Sequence, residues 1–234
     1  VKNAFVKNFL ADDGKILESS QTGYALAFTM DLVPDELKEK AATQFEAEIA
    51  RFDNHLATGF IGTPRLLPGL AEAGKIDLAY QLLMNKDYPS WLFQVTQGAT
   101  TMWERWDGWT PDKGFQDPGM NSFNHYAFGA VGEWLYSTVG GIAPLTPGFK
   151  TFEIAPKPGG GLTWATTHYR SIHGLIRSEW EIVGDEFKLE VEVPVNTKGT
   201  VVLPEAYRAN VLLNGEPAEG TLELASGNYT ISGR

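Results

Sequence analysis

Three of the chain's seven tryptophans fall within seven residues, in Thr100-Thr101-Met102-Trp103-Glu104-Arg105-Trp106-Asp107-Gly108-Trp109. A carboxylate, Glu104, and a guanidinium, Arg105, stand between the indoles. Indole faces can stack on the apolar C–H faces of sugar rings, while carboxylates and amides bind hydroxyls. A carboxylate held among indoles is partly desolvated, the setting in which general acids and bases are tuned. The following segment, Asp117-Pro118-Gly119-Met120-Asn121-Ser122-Phe123-Asn124-His125-Tyr126, is dense in turn formers and hydrogen-bonding groups. Ser122 or Asn121 there is a plausible N-cap for a helix. Together the two segments offer what a carbohydrate site needs. The bland alternative is a Trp-rich loop packed in a helical core, with Glu104 paired to Arg105.

Other candidates carry less. His55 follows a helix end, Asp31 and Asp87 read as capping or solvated acids, and Glu133 sits beside Trp134 on a solvated face. His168 and His173 fall in a strand region and read as surface residues. There is no His-Glu-x-x-His, no Gly-x-Ser-x-Gly and no phosphate loop. Gly159-Gly160-Gly161 follows Pro158 and precedes a strand, so it reads as a turn and not as a dinucleotide fingerprint. No cluster has metal-ligand spacing, and no metal or organic cofactor is expected.

These residues must be positioned by two kinds of element. Before about residue 145 the apolar residues recur at helical spacing. Val1–Leu10 reads as helix, Ala11–Gly14 as a turn, and Tyr24–Leu32 as a buried helix. Pro34 opens a helix running to about Phe52, with Asp35 and Glu36 in its first turn and Leu37, Ala41, Phe45 and Ile49 on one face. Pro64–Ala73 and Ile76–Met84 form a hairpin stopped at Gly74. Ser90–Gln97 is a shorter helix, and Phe123–Val139 is a further one. From 146 onward the pattern alternates. Strands are expected at 152–155, 162–168, 175–183, 187–195, 200–203, 210–213, 221–224 and 229–231. Their number and spacing favour an antiparallel β-sandwich. The expected organisation is therefore a helical domain, 1–145, and a β-domain, 146–234.

The 234 residues are enough for one large or two smaller domains. Hydrophobic residues make up 43% and charged residues 21%, the balance of a folded protein. With no cysteine, disulfides, thiolate metal sites and cysteine nucleophiles are excluded. Nineteen basic against 29 acidic side chains give a net charge of −10. Such a chain is repelled by nucleic acid and by anionic membranes, and suits a neutral or cationic small ligand. No window approaches a membrane span. The lack of cysteine and of a basic-then-apolar leader points to the cytoplasm of a bacterium.

The chain resembles the bacterial α-L-rhamnosidases of glycoside hydrolase family 78. The resemblance rests on Thr58-Gly59-Phe60-Ile61-Gly62-Thr63-Pro64, on Asp87-Tyr88-Pro89-Ser90-Trp91, and on the two segments above, in that order. Gln21–Ala27 upstream and Pro156–Leu162 downstream extend it over nearly the whole chain. It implies an (α/α)6 toroid followed by a C-terminal β-sandwich, and hydrolysis of terminal α-L-rhamnose with inversion. The family's Trp-Glu-x-Trp glutamate, the proposed general base, falls on Glu104. The histidine of its Asn-His-Tyr motif, which contacts the sugar, falls on His125, preceded by Asn124. Trp103 and Trp106 would help to wall the site. An aromatic wall against the methyl of rhamnose favours it by about 0.8 kcal/mol per buried carbon.

The resemblance also sets a puzzle. The family's general acid lies upstream, in the first half of the toroid, and about six helices are legible here where a closed toroid needs twelve. The chain is thus expected to hold the base without the acid. Self-association, or a separate N-terminal chain, would cover the open edge. Asp107, Asp112 or Asp117 could stand in for the acid by proximity alone. Two other readings stay open: a non-catalytic rhamnoside-binding module, and a toroid glycosidase acting on another sugar.

Overall fold

The computed structural model describes residues 1–234 and divides them into two compact units, Val1–Val131 and Gly132–Arg234. The first unit is built on six helices: α1 (Lys2–Phe9), α2 (Gln21–Thr29), α3 (Asp35–Ala50), α4 (Thr63–Glu72), α5 (Ile76–Met84) and α6 (Trp91–Thr96). Their limits follow from local chemistry. Ser20 and Ser90 cap α2 and α6, their hydroxyls accepting from the N–H groups of Gly23 and Phe93. Pro34 precedes α3, where Asp35 and Glu36 complement the helix dipole. Gly74, at φ +71°, stops α4 and turns the chain into α5.

Of the apolar face expected of α3, Ala41, Phe45 and Ile49 are inaccessible and Leu37 is half-buried, with Phe45 stacked on Tyr24 and Phe28 of α2. Gly69 of α4 lets that helix approach α2 closely, because a Cβ there would lie 2.9 Å from the Ala25 Cα. Buried Tyr80 has its phenol pKa pushed up to about 12 by desolvation.

The expected helix over 123–139 is not continuous. Ala127–Ala130 is a 3₁₀ turn, α7 (Val131–Trp134) is a single α-turn, and Leu135–Val139 is a π-turn. Residues 122–125 are drawn away from helix because their backbone groups bond elsewhere: Ser122 C=O accepts from Glu104 N–H, and His125 N–H donates to Met102 C=O. Ser122 therefore caps a local turn, its hydroxyl accepting from Asn124 N–H, and starts no helix.

A two-stranded ribbon, β1 (Trp109–Thr110) and β2 (Gly114–Phe115), completes the first unit. The second unit holds ten strands. They are β3 (Ile142–Pro144), β4 (Thr151–Ile154), β5 (Trp164–Ser171), β6 (Gly174–Val183), β7 (Glu186–Val193), β8 (Lys198–Val201), β9 (Leu212–Leu213), β10 (Glu216–Pro217), β11 (Leu222–Leu224) and β12 (Gly227–Gly233). They form a six-stranded sheet, β10-β9-β12-β7-β6-β5, and a four-stranded one, β11-β8-β4-β3. One pair departs from the antiparallel expectation: β4 and β8 run parallel. They are joined by the long excursion through β5, β6 and β7, which a parallel pair requires. Ile176, Ser178 and Trp180 of β6 are buried together, as a period of two demands. The Trp180 indole donates to Val139 C=O at 2.8 Å, and Ser178 Oγ to Gly140 C=O at 2.7 Å. The Gly140-Gly141 pair is needed there, since a Cβ on Gly140 would strike Thr167 and one on Gly141 would strike Pro156.

Candidate functional site

Three loops of the helical unit meet: 58–62, 101–108 and 116–126. Gln21 anchors the approach to the first, its side-chain amide bridging His55 C=O and Ala57 N–H at 2.8 Å each. His55 itself follows α3 with its Nδ1 2.8 Å from the C=O of Asp53, which stands two residues past the Arg51 C-cap. Trp106 ties the first loop to the second by donating from Nε1 to Thr58 C=O at 2.9 Å. Gln94 of α6 holds the second loop through Arg105 C=O at 3.1 Å.

The second and third loops run side by side like a short ribbon. Glu104 N–H donates to Ser122 C=O at 2.9 Å, and Ser122 N–H returns a bond to Glu104 Oε2 at 2.8 Å. His125 N–H donates to Met102 C=O at 2.8 Å, and Thr101 Oγ1 to Phe123 C=O. The Glu104 carboxylate, half-buried, is thus aimed by a charge-assisted bond to backbone. Asn121 closes the ribbon's far end by donating to Gly108 C=O at 2.9 Å, with its Oδ1 buried and without a partner.

Rings continue the framework. Trp91 meets Trp106 edge-on at 5.4 Å, and Trp106 stacks flat on Phe128 at 3.9 Å. Phe128 takes the edge of Phe60, and Phe60 stacks on the His125 imidazole at 4.7 Å. Tyr126 stacks on His125 at 5.3 Å. His125 Nδ1 accepts from Ala127 N–H at 3.3 Å. A neutral imidazole that accepts at Nδ1 carries its proton at Nε2, so His125 is set to donate from that atom. Phe60 and Tyr126 remain 43% and 87% exposed.

The sequence-derived residues are therefore brought together, with one reassignment. Glu104, Asn124 and His125 lie on the paired loops, and Trp106 is half-buried behind Phe128. Trp103 is only 5% exposed and packs edge-on against Phe123 at 5.1 Å. It supports the loop from beneath and cannot wall a sugar.

The Glu104–Arg105 pair of the bland alternative does not form: Arg105 Nε binds Asp107 Oδ1 at 2.9 Å, leaving Glu104 to Ser122. That pairing raises the Arg105 pKa. The other acids have structural partners too. Asp117 accepts from Gly119 N–H at 2.8 Å. Asp112 is held below the ordinary carboxylate value by the Thr110 hydroxyl and backbone N–H groups, the reverse of what a proton donor needs.

Phe60 and Gln94 have no individual signal in the sequence, although Phe60 lies in the segment Thr58–Pro64. Asn121, expected as a helix N-cap, instead ties the ribbon to Gly108 C=O. A cavity of about 420 Å³ edged by Phe28, Asp31, Lys38, Arg65 and Glu72 includes none of the site residues.

Comparison with known proteins accounts for both units. Residues 1–139 match the bacterial α-L-rhamnosidase six-hairpin glycosidase domain, and residues 141–216 the bacterial α-L-rhamnosidase C-terminal domain. An α-L-rhamnosidase of Streptomyces avermitilis is 43% identical over 99% of this chain, and one of Formosa agariphila 47% identical over 92%. The chain spans 23% of the length of each. Among solved structures, the S. avermitilis α-L-rhamnosidase complexed with L-rhamnose superposes over the whole chain with a TM-score of 0.93 at 42% identity. The Aspergillus terreus α-L-rhamnosidase does so with 0.89 at 35%, this chain covering 26% of it. No helix is long and apolar enough to cross a membrane. With a family model matching more than half of its residues, the chain belongs to the bacterial α-L-rhamnosidase family, glycoside hydrolase family 78.

Proposed function

We propose that the chain supplies the base-bearing side of an inverting glycoside hydrolase that releases terminal α-L-rhamnose. The observation that carries this reading is the reciprocal pairing of Glu104 with Ser122, which aims the carboxylate from the same ribbon that presents His125. Glu104 takes a proton from water as the water attacks the anomeric carbon. A second carboxyl group, roughly 6.5–9.5 Å away, protonates the departing oxygen, and the sugar leaves with inverted configuration. His125 Nε2–H and the Asn124 amide bind hydroxyls, and the exposed faces of Phe60 and Tyr126, with Trp106 behind, offer the apolar wall for the methyl group.

In this reading the acid lies on polypeptide outside these residues. Asp107, Asp112 and Asp117 all serve structural bonds, which also favours a second reading, a rhamnoside-binding module without turnover. The chain would form the second half of an (α/α)6 toroid, its open edge covered by further chain or by a second copy.

Two measurements test this. L-Rhamnose titrated into the chain is expected to shift the amide signals of Ser122, Asn124 and His125; shifts only elsewhere overturn the site. Where hydrolysis of an aryl α-L-rhamnoside is seen, alone or with a partner polypeptide carrying the acid, Glu104→Gln is expected to lower kcat by at least about 100-fold. The first product by NMR is expected to be the β-anomer. An undiminished rate removes Glu104 as the base, and an α-anomer removes inversion. Binding without turnover under both conditions selects the module.

A further inference from the structure

The outer face of the six-stranded sheet carries three rows of side chains that the proposed reaction does not use. Strand register aligns Trp164 with Glu181 and Lys188, then Thr166 with Glu179, Glu190 and Thr230, then His168 with Arg177 and Glu192. The first two rows line a groove of about 360 Å³. Trp164 stands on β5, the edge strand, and is 66% exposed. Edge strands are ordinarily guarded by charge or proline, and an exposed indole is neither. Isolated exposed apolar side chains are common, but this one forms a wall of a groove.

The groove's carboxylates already have partners. Glu179 meets His168 at 2.6 Å and Arg177 at 3.3 Å, Glu190 meets Arg177 at 3.0 Å, and Lys188 lies 3.7 Å from Glu181. A wholly apolar ligand would strip water from these groups without replacing its hydrogen bonds. Arg177 already serves Glu179 and Glu190 and Lys188 already serves Glu181, so on a chain of net charge −10 the groove disfavours a sulfated or uronic polymer. What fits an indole face bordered by carboxylates, hydroxyls and an ammonium is a ring with an apolar face and a hydroxylated rim.

We propose that this groove is a surface site for a neutral saccharide, with Trp164 stacking on a pyranose and Thr166, Glu181 and Lys188 binding its hydroxyls. It stands independently of the Glu104 reading and would hold a glycan without acting on it.

The test is an NMR titration of the chain, labelled at tryptophan and backbone nitrogen. The probes are methyl α-L-rhamnoside, maltohexaose, cellohexaose and xylohexaose, with dextran sulfate as the anionic control. At least one neutral probe is expected to move the Trp164 indole N–H together with the Thr166 and Glu181 amides. Trp164→Ala is expected to weaken that binding at least tenfold, Trp164→Phe to retain part of it, and Glu104→Gln to leave it unchanged. Absence of any response at Trp164, full affinity in Trp164→Ala, or preference for dextran sulfate would each overturn the proposal.

Discussion

Two indole N–H groups, that of buried Trp180 and that of half-buried Trp106, show how differently the two units hold their shape. Trp180 donates to Val139 C=O across 41 residues of sequence and Trp106 to Thr58 C=O across 48. Trp180 sits in the middle of β6, paired on one side with Ala165 of β5 and on the other with Leu189 of β7. Its backbone is fixed by ladders whether or not the indole is there. Trp106 lies in a loop outside any strand; its N–H joins that loop to loop 58–62, and its ring packs on Phe128. In the sheets one side chain adds stability to a position already set. In the loops one side chain sets the position.

The largest expected effect tests the sheet side of this contrast. Trp180→Ala removes a core tryptophan and should cost about 3–5 kcal/mol. Urea unfolding should show the loss, while strand amide signals at low denaturant keep their native pattern. Scrambled signals across β5–β7 in native buffer would mean that the indole, not the ladder, fixes the sheet. Trp106→Ala is the counterpart. Because Trp106 is only half-buried, its cost is expected to be smaller, about 2–3 kcal/mol against the larger figure for full burial. Yet it should displace Thr58–Phe60 and shift the His125 ring signals, an effect on the site out of proportion to the stability lost. Unmoved His125 signals would dissolve the contrast.

What could be read in advance divides along the same line. The alternation of Phe187, Leu189, Val191 and Val193 names the buried face of β7, and all four are buried. The spacing of Ala41, Phe45 and Ile49 does the same for α3. Periodicity reports regular elements because their geometry repeats. The segment 123–139 carries helix-forming residues, yet residues 122–125 give their backbone bonds to 102–104, a partner that local sequence does not name. The parallel pairing of β4 with β8 is equally silent locally. At the site, Glu104, Asn124 and His125 were legible as residue types in unusual segments and through the family pattern. Their support, from Ser122 N–H, Gln94 and Phe60, was not, because a backbone donor or a packed ring has no signature of its own.

Asn121 sharpens the comparison further. Its amide nitrogen reaches Gly108 C=O, while its Oδ1 is buried and unpartnered, 2.8 Å from where a Cβ on Gly108 would stand. Asn121→Asp would replace the donor by a carboxylate oxygen facing a carbonyl. It should cost about 1–3 kcal/mol, the penalty for an unsatisfied buried polar group, and more than Asn121→Ala, which removes the unpartnered oxygen as well. Equal stability of the two variants would show that water reaches this end of the ribbon.

Phe60→Ala follows, with a smaller effect on folding. The exposed ring contributes about 0.5–1.5 kcal/mol through its aromatic contacts. The sharper readout is at His125: loss of one stacking face should broaden its ring signals and weaken any L-rhamnose binding, with Phe60→Tyr restoring both. Unchanged affinity in Phe60→Ala would separate the aromatic ladder from the sugar site.

The smallest effect comes from the β1–β2 turn. Asp112 is fully exposed, and its carboxylate is held below the ordinary value of 3.8 by the Thr110 hydroxyl first, then by the backbone N–H groups of Asp112 and Lys113. A carboxylate with a lowered folded-state pKa stabilises the fold above its unfolded value, and that contribution is lost as pH falls through the folded value. Asp112→Asn should therefore melt slightly below the parent at pH 7, with the gap closing as the pH drops below 3.8. A gap that stays constant over that range would mean that Asp112 shapes the turn by hydrogen-bond geometry alone, as the uncharged Asn121 does one loop away.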